Sequence, residues 1–341
     1  DGSYLWSTTP QEPMDYYGSP ASGSISNTFA YGNMYSSAYA GIVYCYDTKT
    51  GNVTWTYGNG GEGNSTQGGF EVPGHWPTFI NAIGSGVVYT TTTEHTIETP
   101  LAKGALSRGI NATDGTEIWT LSSYVGEFGG NSYAIADGYA TWFNGLDNQI
   151  YVVGKGPSQT TVEAPQTQIT AGDKVVIQGT VMDLSAGTTQ DEQAARFASG
   201  VPCASDASMA DWMGYVYQQK PIPTNFTGVE VTIMAVDPNN NFITLGSATT
   251  DEYGVYHYTW TTPDVTGDYT IYAVFSGTNG YWGSKATTNM VVTEAAASPT
   301  PAPTQPPSAA DLYFLPMSIA IIIAVVVIGA ILALLLVKKH P

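Results

Sequence analysis

Apolar and polar residues alternate along much of the second half of the chain. Val175, Ile177 and Val181 share one side of "KVVIQGTV", and Val229, Val231, Ile233 and Ala235 share one side of "VEVTIMAV". Tyr256, Tyr258 and Trp260 line up in "YHYTW", as do Tyr269, Ile271, Ala273 and Phe275 in "YTIYAVF". A period of two puts alternate side chains on one face of a strand, and an apolar face must be covered. With "TTVEAP" as an edge strand and "TTNMVVT" closing the set, residues 157–294 predict an antiparallel sandwich of immunoglobulin type. His257 falls opposite the Tyr256 face and is expected at the surface.

The alternation breaks over residues 185–227. There "TQDEQAARFA" and "SDASMADWMGYVYQQKP" read as helical, since Met209, Trp212, Met213 and Val216 recur at spacings of three and four. Ser205 or Asp206 is placed to cap the second helix, and Pro221 to end it. This insertion either packs on neighbouring sheets or presents those four residues as a partner surface. An insertion of that length in a compact sandwich points to a role.

Residues 1–156 carry shorter strands rich in Tyr, Val and Trp, separated by Gly, Asn and Asp turns. Two markers recur in them. Gly-x-x-x-Trp pairs Gly2 with Trp6, Gly51 with Trp55 and Gly115 with Trp119, and a second glycine recurs at Gly32, Gly86 and Gly138. Both keep a period of roughly 50 residues, within the range of propeller blades.

These residues also resemble a known family. "GIVYCYDTKTGNVTWTY" is similar to the pyrroloquinoline-quinone-like β-propeller repeat, "INATDGTEIWTL" to a second copy, and "GLDNQIYVVGKG" to the third strand of a last one. The resemblance implies a partial β-propeller of about three blades in an open arc, fewer than the number that closes a ring. It implies that Gly2, Gly51 and Gly115 make tight turns and that Trp6, Trp55 and Trp119 wedge between neighbouring blades. "DGSYLW" then reads as the end of a blade whose first strands lie upstream. Trp6 would be poorly covered, and the chain would be the C-terminal part of a longer protein. The quinoprotein dehydrogenases of this class use adjacent cysteines, a bound Ca²⁺ and an Asp base. Cys45 and Cys203 are not adjacent, so no cofactor and no catalytic residue is assigned. Cys45 reads as a small buried hydrophobe, not as the disulfide partner of Cys203.

Near the C-terminus, "MSIAIIIAVVVIGAILALLLV" runs uncharged from Met317 to Val337. Residues 312–337 predict a transmembrane helix, long enough for a hydrocarbon core of about 30 Å. Lys338 and Lys339 follow it, which places the 338–341 tail in the cytoplasm and the rest outside, a single-pass type I arrangement. The Pro, Thr and Ser of 295–311 predict a stalk stiffened towards polyproline II. N-glycosylation tripeptides begin at Asn52, Asn64, Asn111 and Asn225, all on the outer side.

The net charge of −18 excludes nucleic acid as a partner, because few cations are present to meet its phosphates. "GNGGEG" fits the spacing of a dinucleotide loop, but a loop comes after it where a helix is required. His75, Glu94, His95 and Glu98 are the candidates for metal ligands, although no metal site is assigned. The order of repeats, sandwich, stalk and helix resembles archaeal membrane-anchored surface proteins. That resemblance implies a binding or scaffold protein of the cell envelope, with an envelope protein or glycan as partner. A propeller oxidoreductase or carbohydrate-active enzyme with its catalytic residues in absent blades stays open, as does an envelope-lattice or adhesion component.

Overall fold

The computed structural model describes residues 2–8, 26–37, 41–58, 76, 78–92, 104–125, 133–295 and 307–338. It divides into two units, Asp1–Glu294 and Ala295–Pro341.

Among the described residues of the first unit, short strands and tight turns build three successive antiparallel meanders. β1 (Ser26–Ala30), β2 (Asn33–Ser37), β3 (Val43–Asp47) and β4 (Val53–Tyr57) lie side by side in chain order. The second sheet repeats this with β5 (Thr78–Gly84), β6 (Val87–Thr92), β7 (Leu106–Asn111) and β8 (Glu117–Ser122). Among the described residues the third has β9 (Ala134–Ala136), β10 (Tyr139–Asn144) and β11 (Gln149–Val153) only, with β11 at its edge. Each sheet opens with a two-residue hairpin, at Tyr31–Gly32, Ser85–Gly86 and Asp137–Gly138, with both residues at positive φ. Turns of this hand match the twist of the strands they join. The recurring glycine of the sequence is the second residue of that turn.

The sheets stack face to face in chain order. The leading face of the first sheet (Tyr35, Val43, Cys45) meets the trailing face of the second (Ile80, Val88, Ile110) in one core. The second sheet's leading Tyr89, Trp119 and Leu121 meet trailing Ala140 and Trp142 of the third in another. First strands are neighbours throughout, β1 against β5 and β5 against β9.

Beyond the meanders the chain forms a two-sheet sandwich. One sheet holds β12 (Ser158–Thr160), β14 (Lys174–Asp183), β15 (Val201–Pro202) and β18 (Val255–Thr261). The other runs in the order β13 (Ile169–Thr170), β20 (Trp282–Thr293), β19 (Gly267–Gly277), β16 (Glu230–Val236) and β17 (Phe242–Thr249). The alternating residues of the sequence meet in one core, from Val175 and Ile177 across to Ile233, Ile271 and Phe275. His257 is exposed. β17 is an addition to the strands expected. A parallel bridge fastens the sandwich's entry to its last strand: Gly156 N–H donates to Gly280 O (2.9 Å) and Trp282 N–H donates to Gly156 O (2.8 Å).

The insertion contains α1 (Asp191–Arg196) and α2 (Met209–Gln218). The expected caps need correction. Ser208 occupies the N-cap of α2 and its hydroxyl accepts from Thr227 N–H, while Asp206 takes the N–H groups of Asn279 and Gly280. The helix stops before Pro221, at Gln219, which turns left-handed with φ of 54°.

In the second unit α3 (Ala309–Val337) is a helix of 29 residues, long and apolar enough to cross a membrane. It starts three residues before the expected 312, because Ser308 and Asp311 form a reciprocal capping box. From Ile319 to Val337 its side chains are apolar on every side.

Candidate functional site

The recurring turn and tryptophan make a repeated joint. The turn after β3 runs from Asp47 to Gly51, that after β7 from Asn111 to Gly115, and in each the glycine N–H returns to the first residue's carbonyl, at 2.8 and 2.9 Å. The Asp47 carboxylate accepts from the backbone of Lys49 and Thr50, which holds its pKa below the usual carboxylate range. Trp55 of the first sheet reaches across to the second. Its indole N–H donates to Ala112 O (3.2 Å), and a β-carbon on Gly115 would stand 2.6 Å from its ring. Trp6 does the same to the first sheet, donating to Thr48 O (2.7 Å) and covering Gly51. Trp6 is thus half-buried, a correction to the poor cover expected of it. Trp119 does not repeat the joint, because among the described residues the third sheet ends after its third strand and offers no such turn. It stacks on Trp142 instead, with ring planes 4° apart and centroids 5.9 Å apart.

A charged pair lies between the first two sheets. Arg108 on β7 is buried; its guanidinium donates to Thr92 Oγ1 (2.9 Å) and stands 3.8 Å from Glu117. The Glu117 carboxylate also accepts from Tyr57 of the first sheet. Sequence reasoning misses this residue, since an Arg inside a strand reads as an outward position.

The proposed stripe on α2 is no surface. Trp212 and Val216 are 2% and 1% exposed, and the stripe divides among three cores. Met209 packs on the sandwich, Met213 with Ala210 on the Trp119–Trp142 cluster, and Trp212 with Val216 on Val201, Phe197 and Phe226. Gln218 completes the joint: its amide accepts from Ser122 N–H (3.1 Å) and donates to Ser122 O (2.8 Å), as a paired strand would. The partner-surface expectation is therefore replaced by an internal one, because all four side chains already have partners.

The exposed apolar surface lies elsewhere. The leading face of the third sheet presents Tyr139, Phe143, Ile150 and Val152, the last two 74% and 62% exposed. The register sets Phe143 beside Ile150 and Thr141 beside Val152, so these side chains are contiguous. A signal for this was present in "YATWF" and "QIYVV": strands apolar on both faces are built to be covered on both.

Other sequence candidates are dispersed. His75, Glu94, His95 and Glu98 lie outside the described residues, as does Asn64. Among the described residues no group of three or more His, Cys, Asp or Glu could hold a metal. Cys45 and Cys203 are free and buried, and burial pushes both thiols up. Asp183 is buried beside Cys203 and Tyr281. Loss of solvent raises its pKa against the opposing hydrogen bonds from Ser185 and Tyr281. Asn52 and Asn225 are exposed and Asn111 is half-buried at a strand end.

No family model and no curated protein sequence matches the chain. Among solved structures it is similar to the fibronectin(III)-like modules of Clostridium thermocellum CbhA, at 12% identity and a TM-score of 0.25, over 65% of this chain and 97% of that one. It is also similar to a tetra-tandem repeat from the extending region of a large adhesion protein (15%, TM-score 0.26, 77% and 57%). A third is BamB from Moraxella catarrhalis (10%, TM-score 0.23, 68% and 70%). Similarity at this level assigns no function.

Proposed function

We propose that the chain is a membrane-anchored surface protein whose three meanders are propeller-type repeats serving as an interaction platform, with the sandwich of immunoglobulin type as a spacer. The observation that carries this reading is the exposed apolar face of the third sheet, held on the same compact unit as the sandwich. Contiguous apolar patches on a folded surface mark places where another molecule binds. In this reading the apolar α3 is the anchor, and the lysines that follow it in the sequence support a position of the meanders and sandwich outside the cell. The exposed Asn52 and Asn225 would then stand where sugar can be added.

Protease added to intact cells tests the arrangement. The platform and sandwich should be released while α3 stays in the membrane pellet. Cleavage that required opened cells would reverse the topology and remove the platform from the surface.

A further inference from the structure

Three glycosylation tripeptides lie among the described residues, at Asn52, Asn111 and Asn225, and the fold treats them differently. Transfer of a sugar to such a tripeptide needs two groups presented together on an accessible surface, the Asn amide and the hydroxyl two residues on.

At Asn52 the hydroxyl is taken. Thr54 lies in β4, paired with β3, and its Oγ1 donates to Cys45 O (3.2 Å). At Asn111 the amide is taken. Its Oδ1 accepts from Thr113 N–H (2.9 Å), and the residue is half-buried at the foot of the turn that Trp55 covers.

Asn225 is placed otherwise. Residues 219–229 join α2 to β16 outside any helix or strand, and Pro221 and Pro223 have no N–H to give to a sheet. Phe226 is the residue turned inward, its ring centroid 4.5 Å from that of Trp212. Asn225 and Thr227 on either side of it are both exposed, and neither side chain has a hydrogen bond among the described residues. Ser208 holds the backbone from behind: its hydroxyl accepts from Thr227 N–H (2.9 Å) and donates to Asn225 O (3.5 Å). The tripeptide is thus fixed without using either of its reactive groups. Beside it opens a groove of about 450 Å³, lined by Ser208, Asp211, Ile222, Pro223 and Thr224. Ile222, 54% exposed, offers an apolar surface to the face of a sugar ring, and the hydroxyl of Thr224 and the carboxylate of Asp211 can meet its edge.

We propose that Asn225 alone of these three carries an N-linked glycan, added once the chain has folded, with its first sugar in this groove. The donor is a saccharide linked to a lipid diphosphate. Nδ2 of Asn225 bonds to the anomeric carbon, the bond from that carbon to the diphosphate oxygen breaks, and the lipid diphosphate leaves. The amide proton passes to a base of the transferase. This rests on the outward position proposed for the sandwich, and it names which exposed tripeptide is used.

The test uses the full chain isolated from the membranes of its own cells and digested for mass spectrometry. The Asn225 peptide should carry the added mass of a glycan in most copies, and the Asn52 and Asn111 peptides should be unmodified. Thr227→Val should abolish the modification without moving the melting temperature, because that hydroxyl has no partner in the fold. Val53→Phe, at an exposed position, gives the Asn52 tripeptide the same middle residue as that of Asn225 and should still leave it bare. A bare Asn225, a glycan on Asn52 or Asn111, or one that survives Thr227→Val would overturn the proposal. So would modification of Asn52 in Val53→Phe, which would put the choice in the sequence and not in the fold. If the chain is shed by protease from intact cells with Asn225 bare, this proposal fails and the surface-anchored reading stands. If cleavage requires opened cells, both fail.

Discussion

The ring of Trp55 lies flat over Gly115, one sheet further along the chain, and leaves no room there for a side chain. Gly115 combines a left-handed φ of 77° with a β-carbon position 2.6 Å from the indole. Gly86 has the same φ of 77° and nothing within 4 Å. Gly86→Ala should therefore cost only the backbone strain, about 1 kcal/mol. Gly115→Ala adds the displaced tryptophan and should cost about 3 kcal/mol. Denaturant titration of the two variants measures the difference, and equal losses would mean that the indole moves aside freely.

Helix α2 joins the sandwich to the sheets, and two substitutions separate its tasks. Trp212→Ala empties the small core around Val201 and Phe226 and should cost about 4 kcal/mol. Gln218→Ala removes both bonds to Ser122, about 2 kcal/mol together, without touching that core. Its expected effect is on cooperativity: calorimetry should show a single transition for the unaltered protein and, in the variant, the sheets melting before the sandwich; a single transition in both would mean that Gln218 does not couple them.

Glu117 links the first two sheets: it accepts from Tyr57 and stands beside the buried guanidinium of Arg108. Glu117→Gln keeps a neutral acceptor at the same place, so it should cost less than Glu117→Ala, which should lose about 1–2 kcal/mol. Denaturant titration compares the two, and equal losses would show that the charge, not the acceptor, is what the carboxylate supplies between the sheets.

Asp183 ties stability to pH. Burial raises its pKa above the unfolded value of about 3.9. The folded state thus binds the proton more tightly than the unfolded chain does. The stability it contributes is complete below the unfolded pKa and is lost as pH rises through the folded one. Asp47 and Asp237, whose pKa values are lowered, act in the opposite sense, losing their contribution as pH falls through their folded values. Melting curves taken from the unfolded value upward to neutral pH should show the unaltered protein gaining on Asp183→Asn as the medium becomes more acidic. A constant difference between the two would mean that Asp183 does not titrate in that window.

Much of the sandwich was legible in the chain because its strands are covered on one face only. Val229, Val231, Ile233 and Ala235 alternate with outward residues, and burial follows that alternation. β17 was not, because Phe242 and Ile243 at its start are exposed and its edge position imposes no inward face. The repeat period was legible through its turns, where backbone geometry demands glycine. The stripe on α2 was legible as a helix face, but its division among three cores was not. Sequence spacing tells which residues share a side, and it does not tell how many neighbours surround the helix. The open face of the third sheet reads like any covered strand, since nothing local distinguishes an apolar face that has its cover from one that awaits it.

The bridge between Gly156 and Tyr281 has a mechanical side. The chain arrives at Gly156 from the sheets and leaves the sandwich through β20 towards the C-terminal helix. The two bridged segments run parallel. Tension along the chain pulls one segment back towards its beginning and the other towards its end, so that they slide past each other. The paired bonds of Gly156 are loaded in shear and must break together, whereas an antiparallel joint at the same place would unzip one bond at a time. A protein moored at one end and gripped at the other would meet that load at the strongest orientation its backbone can offer.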